Sequence, residues 1–390
     1  MQRPLGALFL FGFNAALPTP RCERFCSMCE FLITEVRGQV GLITLNRPKA
    51  LNALNLDMVR GLARALLAWE HDPAIQAVAI RGTSKLGNFG GFCAGGDIRF
   101  FHQAALGGNP ALEDFFTEEY ALNHLIHRYP KPYIAFMDGI VMGGGMGISQ
   151  GTRYRLVTDN TKMAMPETHI GLFPDVGGGY FLSRCPGSTG EWLALTGAVL
   201  NAQGAIALGL ADHCLDASRL DAAWQALGSL PAGAGLAPWL AEFAVTPSAP
   251  SGLERERIDR VFSLPSVVDM LHALEAASDG WSQHTAATLR HRSPLMLHVA
   301  LEQVRRARTM CLADDLRMER DMVRHCFQTA HLGRSGAASE TVEGIRALAV
   351  DKDHQPRWNP MRVEDVTPEM VAPFFVSPWP FHAHPLRALD

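Results

Sequence analysis

Residues 143–180 read GGGMGISQGTRYRLVTDNTKMAMPETHIGLFPDVGGGY. This stretch combines two glycine clusters with two acidic residues, Glu167 and Asp175. A glycine-rich turn that opens a helix presents unpaired N–H groups and the positive end of the helix dipole, and such groups can hold a developing oxyanion. The two carboxyl groups stand among apolar residues, where desolvation raises a carboxyl pKa towards working pH. Amides that stabilise an anion beside such carboxyl groups indicate acyl chemistry.

The composition excludes several classes of protein. The chain has 390 residues, of which 47% are hydrophobic and 19% charged, an ordinary balance for a globular protein with a sizeable core. The net charge is −4 and there is no basic block, so nothing indicates binding to nucleic acid. No apolar run reaches the roughly 18 residues that a membrane span needs, so we expect no membrane association.

The eight cysteines do not form a disulfide framework. Five of them are scattered, and we interpret these as thiols in a reducing compartment: Cys93, Cys185, Cys214, Cys311 and Cys326. The other three, Cys22, Cys26 and Cys29, have a spacing that resembles the iron–sulfur motif of radical enzymes that use S-adenosylmethionine. No train of βα units follows this motif, and no paired metal-ligand spacing occurs elsewhere, so we expect no metal.

The pattern of strands, loops and helices predicts an α/β fold. Residues 31–36 and 40–45 form a hairpin, residues 56–69 a helix capped by Asn55, and residues 77–80 and 133–137 buried strands. From about residue 220 the pattern changes to helices, with the clearest start at Ser293-Pro294. Residues 232–252 are interpreted as a linker, and residues 333–338 as a flexible loop.

These changes of pattern divide the chain into four parts. We expect a disordered N-terminal extension over residues 1–28, where a weak secretory or organelle signal is an alternative. The core occupies residues 29–220, a helical region that packs on it residues 221–375, and a tail residues 376–390.

Three ordered motifs give the core a family resemblance: NRPKALNAL at residues 46–54, FCAGGD at residues 92–97, and the glycine triplet at residues 143–145 followed by Pro166-Glu167. Together they resemble the crotonase (enoyl-CoA hydratase/isomerase) superfamily. Within it, residues 165–168, 171–180 and 350–360 are similar to hydrolases of 3-hydroxyisobutyryl-CoA. The resemblance covers about residues 29–370.

The resemblance implies a ββα spiral core closed by C-terminal helices, and an acyl-CoA substrate. It implies that the thioester oxygen accepts hydrogen bonds from two backbone N–H groups, at Gly96 and Gly144. Glycine suits both positions because it lets the backbone approach a ligand closely. It also implies that CoA is received by five residues: Lys49, Ala50, Leu54, Ala94 and Gly95.

One departure from the hydratase pattern indicates the type of reaction. Hydratases carry one catalytic Glu three residues after the central glycine of the triplet and a second in the Pro-Glu motif. The first position is Gly147 here, which cannot move a proton, whereas Glu167 is retained. The hydrolases pair that Glu with an acid eight residues later, which is Asp175. Glu167 is then either the nucleophile or a general base for water, and Asp175 assists.

Two further residues were weighed as parts of the site. Glu119, on the helix predicted over residues 111–128, matches a substrate-pocket Glu of the hydrolases and is expected to bind the hydroxyl of the acyl group. His169 has no evident Ser or Cys partner, so we interpret it as a packing or peripheral residue.

The sequence thus predicts hydrolysis of a short 3-hydroxyacyl-CoA, with 3-hydroxyisobutyryl-CoA the expected substrate, as in valine breakdown. An enoyl-CoA isomerase or hydratase is the first alternative, and a non-catalytic CoA-binding or assembly protein the second. No cofactor is expected beyond the CoA of the substrate. The resemblance further implies a trimer or hexamer, in the cytoplasm of a bacterium or in the mitochondrial matrix of a eukaryote.

Overall fold

The computed structural model describes residues 30–230 and 235–390. The expected extension over residues 1–28, and with it Cys22, Cys26 and Cys29, lies outside the described residues. The strands are β1 (Leu32–Arg37), β2 (Val40–Leu45), β3 (Ala77–Gly82), β4 (Tyr133–Met137), β5 (Ile140–Met142), β6 (Tyr154–Val157), β7 (Lys162–Ala164), β8 (His213–Leu215) and β9 (Ala244–Val245).

The larger sheet has the strand order β1-β2-β3-β4-β6-β8-β9. Its inner strands are parallel, and antiparallel pairs stand at the two edges, β1 with β2 and β8 with β9. Strands β2, β3 and β4 are buried throughout, which explains why their sequences are mostly apolar. The hairpin predicted at residues 31–45 is confirmed as β1 and β2.

A second, smaller sheet places the glycine-rich turns. Strand β5 pairs in parallel with β7, and single parallel bridges join Cys93 to Val141 and Leu54 to Gly96. The chain therefore alternates between the two sheets, from β4 to β5 and from β6 to β7, and each passage is followed by helical structure. This arrangement is the expected ββα spiral, and the α/β fold class is confirmed.

Helices surround the two sheets. Those of the core are α1 (Leu56–His71), α2 (Ile98–Gly107), α3 (Ala111–His127), α4 (Gly144–Gln150), α5 (Gly178–Leu182), α6 (Thr189–Thr196), α7 (Ala202–Ala207) and α8 (Leu220–Leu227). Those that follow are α9 (Ala237–Phe243), α10 (Arg255–Phe262), α11 (Val267–Ala276), α12 (Gly280–His291), α13 (Pro294–Ala307), α14 (Leu312–Phe327), α15 (Glu340–Ile345) and α16 (Pro368–Val371). A π-helical turn, Arg346–Val350, extends α15.

Two predicted caps are confirmed. The Asn55 side chain accepts a hydrogen bond from the N–H of Met58 at the start of α1, and the Ser293 side chain accepts one from Met296 at the start of α13. Each satisfies a backbone donor that the helix itself leaves unpaired. The chemistry of a local turn was therefore enough to fix both starts.

The interpretation of residues 232–252 as a linker is wrong over residues 237–245. Helix α9 buries Trp239 and Phe243 against the outer face of the large sheet, and β9 then adds the edge strand beside β8. The alanine- and proline-rich composition concealed two aromatic anchors at helical spacing.

The helices after α9 pack on the core. Helix α13 contacts α5 and α6, and α14 contacts α3 and α5. The last residues also lie against the core, since the backbone oxygen of Asp390 accepts a hydrogen bond from His124 on α3. No helix among the described residues is long and apolar enough to cross a membrane. The C-terminal helices thus stand directly behind the glycine-rich turns of the core.

Candidate active site

The turn between β5 and α4 presents one of the two predicted amides. Gly143 adopts φ +48°, a backbone conformation that favours glycine, and the chain then enters α4 at Gly144. Because Gly144 is the first residue of its helix, its N–H has no partner within that helix. The predicted oxyanion donor therefore stands at the positive end of α4.

The loop that carries Gly96 lies directly against this turn. The N–H of Cys93 donates to Ile140 (2.9 Å) and the N–H of Met142 donates back to Cys93 (3.0 Å), which ties the loop to β5. A β-carbon placed on Gly144 would lie 3.4 Å from the nitrogen of Gly96. The fold thus brings the amides of Gly96 and Gly144 side by side, as a two-donor oxyanion hole requires.

Two glutamates converge on the same turn. Glu167 begins a short 3₁₀ turn (Glu167–Ile170), and its Oε1 lies 2.5 Å from the place of a β-carbon on Gly143. Glu119, on α3, puts its Oε1 2.6 Å from the place of a β-carbon on Gly144. Both side chains are buried, and Glu167 Oε2 and Glu119 Oε1 have no hydrogen-bond partner among the described residues. Buried carboxyl oxygens without a partner need an explanation, and a role in catalysis is one.

Asp175 completes a group of three carboxyl groups. Its Oδ2 accepts a hydrogen bond from the hydroxyl of Tyr120 at 2.8 Å, which helps to orient the side chain. The residue lies between the 3₁₀ turn and α5 and is also buried. The structure therefore brings Glu119, Glu167 and Asp175 to one cavity, and their roles there stay predictions.

Burial sets the protonation of this group. Desolvation raises the pKa of Glu167 well above its usual range, and the nearby charge of Asp175 raises it further. The pKa of Glu119 is raised well above its usual range by the same cause and by the charges of Asp175 and Glu167. Burial raises the pKa of Asp175 to about 6, although the Tyr120 hydroxyl opposes this shift. Burial therefore favours the protonated forms within this group.

Gly147 lacks the room for a second hydratase carboxylate. A β-carbon there would lie 2.6 Å from the Cβ of Val176 and 3.0 Å from the Nδ2 of Asn123. The space into which a longer side chain would point is thus occupied by Val176 and Asn123. The sequence revealed only that the carboxylate is missing, whereas the structure shows that its place is filled.

A cavity of about 210 Å³ lies between the amide pair and the carboxyl groups. Large apolar side chains form much of the rest of its wall: Ile98, Phe101, Met142, Ile170, Leu172, Val176 and Leu348. Such a cavity suits a short acyl group with few polar atoms. Leu348 comes from the π-helical turn after α15, so the C-terminal region supplies part of the wall.

His169 also lines this cavity. Burial, followed by the charge of Arg292, lowers its pKa to about 4, so the imidazole is neutral at physiological pH. The ring stands on the wall two residues from Glu167, so its position is not peripheral, and its interpretation as a packing residue stays a prediction. No Ser or Cys hydrogen-bond partner of its ring is present among the described residues.

The five predicted CoA-binding residues fall into two sets. Ala94 and Gly95 line the cavity. Lys49 and Ala50 lie on a 3₁₀ turn (Pro48–Ala50) outside its walls, where Lys49 is exposed. Leu54 is buried, but its backbone pairs with the same loop, since its N–H donates to Gly95 at 2.8 Å. The role of all five in binding CoA stays a prediction.

Several site residues escaped the sequence reasoning. Asn123 could have been found, because it stands four residues after Glu119 on a helix and so shares its face. Tyr120 and Leu348 gave no local signal, since their roles depend on contacts with distant segments. Over residues 30–230 and 235–390, no cluster of three or more His, Cys, Asp or Glu side chains could hold a metal ion.

Known proteins resemble the chain over most of its length. A sequence model of the enoyl-CoA hydratase/isomerase family matches residues 40–375. A mitochondrial 3-hydroxyisobutyryl-CoA hydrolase of Xenopus tropicalis is 38% identical over 89% of this chain and 89% of its own length. 3-Hydroxyisobutyryl-CoA hydrolase 1 of Arabidopsis thaliana is 37% identical over 88% of this chain and 91% of its own.

Solved structures with related names share the fold. A carnitinyl-CoA dehydratase from Mycobacterium thermoresistibile superposes with a TM-score of 0.82 at 39% identity, covering 93% of this chain and 100% of its own. An enoyl-CoA hydratase from Rhodobacter sphaeroides gives a TM-score of 0.76 at 33% identity, covering 89% and 98%. The names therefore divide between thioester hydrolysis and the addition or removal of water.

Proposed function

This chain belongs to the enoyl-CoA hydratase/isomerase family, and we propose that it hydrolyses the thioester bond of a short 3-hydroxyacyl-CoA, preferably 3-hydroxyisobutyryl-CoA. The observation that carries this proposal is the convergence of Glu119, Glu167 and Asp175 on the adjoining amides of Gly96 and Gly144. The names of the frog and Arabidopsis relatives support the choice of acyl group.

The amide pair would bind the thioester carbonyl oxygen. As the carbonyl carbon is attacked, negative charge develops on that oxygen, and the N–H groups of Gly96 and Gly144 stabilise it without having to reorganise. One such donor contributes about 10²- to 10³-fold in rate. Binding in this place also directs the carbonyl carbon towards Glu167, whose Oε1 lies beside Gly143.

The carboxyl groups of Glu167 and Asp175 would share one proton, and Glu167 would attack the carbonyl carbon as a carboxylate when that proton lies on Asp175. The carbon–sulfur bond breaks, CoA leaves as a thiolate that takes a proton from Asp175, and a mixed anhydride with Glu167 remains. Water then cleaves the anhydride, which frees the hydroxy acid and the Glu167 carboxylate and returns a proton to Asp175. The position of Glu167 Oε1 beside Gly143, the residue before the Gly144 amide, supports this route over one in which Glu167 activates a water molecule.

Glu119 would recognise the hydroxyl group of the acyl chain. Burial raises its pKa and so favours the protonated form, whose carboxyl group can both donate a hydrogen bond to that hydroxyl and accept one. An acyl group without the hydroxyl would leave this buried polar group unpaired, which costs binding energy. The site would therefore discriminate against simple acyl-CoA thioesters.

The dehydratase and hydratase names of the solved structures give the rival reaction. Addition of water to a double bond by the two-carboxylate route needs an ionisable group at position 147, where this chain has glycine and no space. An isomerase that needs a single base, and a protein that binds CoA without catalysis, are the other rivals. The proposed reaction requires no cofactor, because the amide pair and the carboxyl groups supply every proton and charge.

Thiol release from 3-hydroxyisobutyryl-CoA tests the proposal. We expect the wild type to release CoA and Glu167→Gln to lose this activity. Glu340→Gln is the matched control, because Glu340 is a buried carboxyl group outside the cavity that accepts hydrogen bonds from Ser293 and Asn359. A folded wild type that releases no thiol from this substrate or its 3-hydroxypropionyl homologue would refute the hydrolase assignment. Formation of an enoyl-CoA product would support the rival instead.

The setting of the reaction follows from the same proposal. Its product would be a free hydroxy acid, as in valine breakdown. We propose the mitochondrial matrix as its location if the source is a eukaryote and the cytoplasm if it is a bacterium. A trimer or hexamer stays a prediction.

A further inference from the structure

Two acidic side chains of α14, Asp315 and Glu319, lie beneath the loop that carries Asp175. Both are completely buried. Neither forms an ion pair with another described residue. Buried carboxyl groups without a cation are costly unless hydrogen bonds compensate them. Their presence at this place therefore needs a reason.

Their partners are backbone N–H groups at the start of α5. Gly177 donates to Glu319 Oε2 at 2.7 Å, Gly179 donates to Glu319 Oε1 at 3.0 Å, and Tyr180 donates to Asp315 Oδ2 at 2.9 Å. These are donors that a helix leaves unpaired at its first turn, and the dipole favours negative charge there. A distant helix thus caps α5 with two side chains.

Gln303, on α13, adds a second attachment. Its Nε2 donates to the backbone oxygen of Pro174 at 2.6 Å and to Glu319 Oε1 at 2.9 Å. The loop is therefore held by hydrogen bonds at Pro174 and again at Gly177. Only Asp175 and Val176 lie between these two points.

The backbone between these two hydrogen-bonded points is strained. Val176 has φ +59°, a left-handed conformation that a β-branched residue rarely adopts. Such a conformation is costly and persists only where its surroundings enforce it. The hydrogen bonds at Pro174 and Gly177 enforce it from both sides. Released from them, the loop would relax and turn the Asp175 side chain away from its present direction.

We infer that Glu319 and Gln303 are positioning residues for Asp175: by holding the backbone on both sides of the strained Val176, they set where the Asp175 carboxyl group points in the active-site cavity. This inference rests on the proposed hydrolase function, in which Asp175 gives its proton to the leaving thiolate. It also gives α13 and α14 a part in positioning Asp175, in addition to the cavity wall that Leu348 contributes from the C-terminal region.

The test combines kinetics with a measurement that needs no substrate. Glu319→Gln keeps the size of the side chain but replaces one acceptor oxygen with an NH₂ group that faces backbone donors. Because a misplacement of about 1 Å costs about 10²-fold in rate, we expect kcat to fall about tenfold or more and KM to change less than about threefold. In the Asp175→Asn background the same substitution should have little further effect, since both act through one group.

Hydrogen exchange of the backbone amides in residues 174–180 measures directly how firmly these hydrogen bonds hold the loop. We expect the amides of Gly177 and Gly179 to exchange at least about tenfold faster in Glu319→Gln. Glu340→Gln is again the matched control and should leave this loop unchanged. Gln303→Met is a second variant in case Glu319→Gln does not fold, because it removes the hydrogen bond to Pro174 while the new side chain has a similar length.

The outcomes separate the two proposals. Slower turnover with faster exchange, both absent from Glu340→Gln, supports the positioning role. An active wild type whose Glu319→Gln variant keeps its kcat, or whose loop exchange does not change, overturns the positioning role alone. Additive losses in the double variant would likewise show that Glu319 does not act through Asp175. A wild type that releases no thiol refutes the hydrolase function, and the role of Glu319 falls with it.

Discussion

Replacing Gly144 with alanine adds a single methyl group beside the proposed oxyanion hole and so tests the role of the Gly144 amide. The added carbon would lie 2.6 Å from Glu119 Oε1 and 3.4 Å from the nitrogen of Gly96. It would thus occupy the space beside both amides, where the thioester oxygen is expected. Glu119 would have to shift by several tenths of an ångström, since carbon and oxygen do not approach more closely than about 3 Å.

The expected loss follows from this geometry. If the methyl group keeps the carbonyl oxygen from one of its two donors, kcat should fall by about 10²- to 10³-fold, or about 2.7–4 kcal/mol of transition-state stabilisation. The fold should survive, because φ at Gly144 lies outside the left-handed region and the residue begins a helix, where alanine is favoured. Activity and stability are therefore expected to separate.

The assay is thiol release from 3-hydroxyisobutyryl-CoA, with thermal unfolding measured on the same samples. Gly280→Ala is the matched control, because Gly280 is also the first residue of a helix and a β-carbon there would meet nothing within 4 Å. We expect this control to keep wild-type turnover. A folded Gly144→Ala enzyme with kcat within about threefold of the wild type would refute the assignment of the Gly144 amide to the oxyanion hole.

Three further predictions concern the carboxyl groups and Gly147. If Glu167 is the nucleophile, hydroxylamine added during turnover should convert the mixed anhydride to a Glu167 hydroxamate, and ¹⁸O-labelled water should label the Glu167 carboxyl group where water attacks the Glu167 carbonyl rather than the acyl carbonyl. Mass spectrometry of the Glu167 peptide detects both products, and an active enzyme that shows neither would contradict the nucleophilic route. The activity should fall at low pH as Glu167 gains a proton. Because the Asp175 charge raises the pKa of Glu167, the residual activity of Asp175→Asn should begin to fall only at a lower pH than that of the wild type. An unchanged pH–rate profile in this variant would contradict the effect of the Asp175 charge on Glu167. Gly147→Ala should lower the free energy of unfolding, measured in urea, by about 1–3 kcal/mol, because the added methyl group would clash with Val176; no hydratase activity should appear. Unchanged stability would show that the space beside Gly147 is not filled.

Much of this protein could be predicted from short stretches of sequence. The α/β class, the hairpin of β1 and β2 and the caps at Asn55 and Ser293 each depend on residues that are neighbours in the chain. Glycine needs no partner to indicate a sharp turn, and an apolar run needs none to indicate a buried strand. The motifs around Gly96, Gly144 and Glu167 likewise pointed to the family, because each is local and their order is specific.

Other features had no local signal. The aromatic anchors of α9 were hidden by a composition that is typical of linkers, and only their burial against the large sheet shows their role. The meeting of Tyr120 with Asp175 depends on how α3 packs, and the wall contributed by Leu348 depends on the C-terminal helices. Such contacts join residues far apart in the chain, so no window of sequence contains both partners.

The sequence by itself determined which chemical groups this protein has: amides at glycine-rich turns, Glu167 with Asp175, and no ionisable side chain at position 147. Only the tertiary structure decided what surrounds them. It placed Glu119 against Gly144, filled the space at Gly147 with Val176 and Asn123, and buried the carboxyl groups so that their pKa values rise. The physical reason is that the identity of a side chain is a local property, whereas its desolvation, distances and strain arise from segments that meet only when the chain has folded.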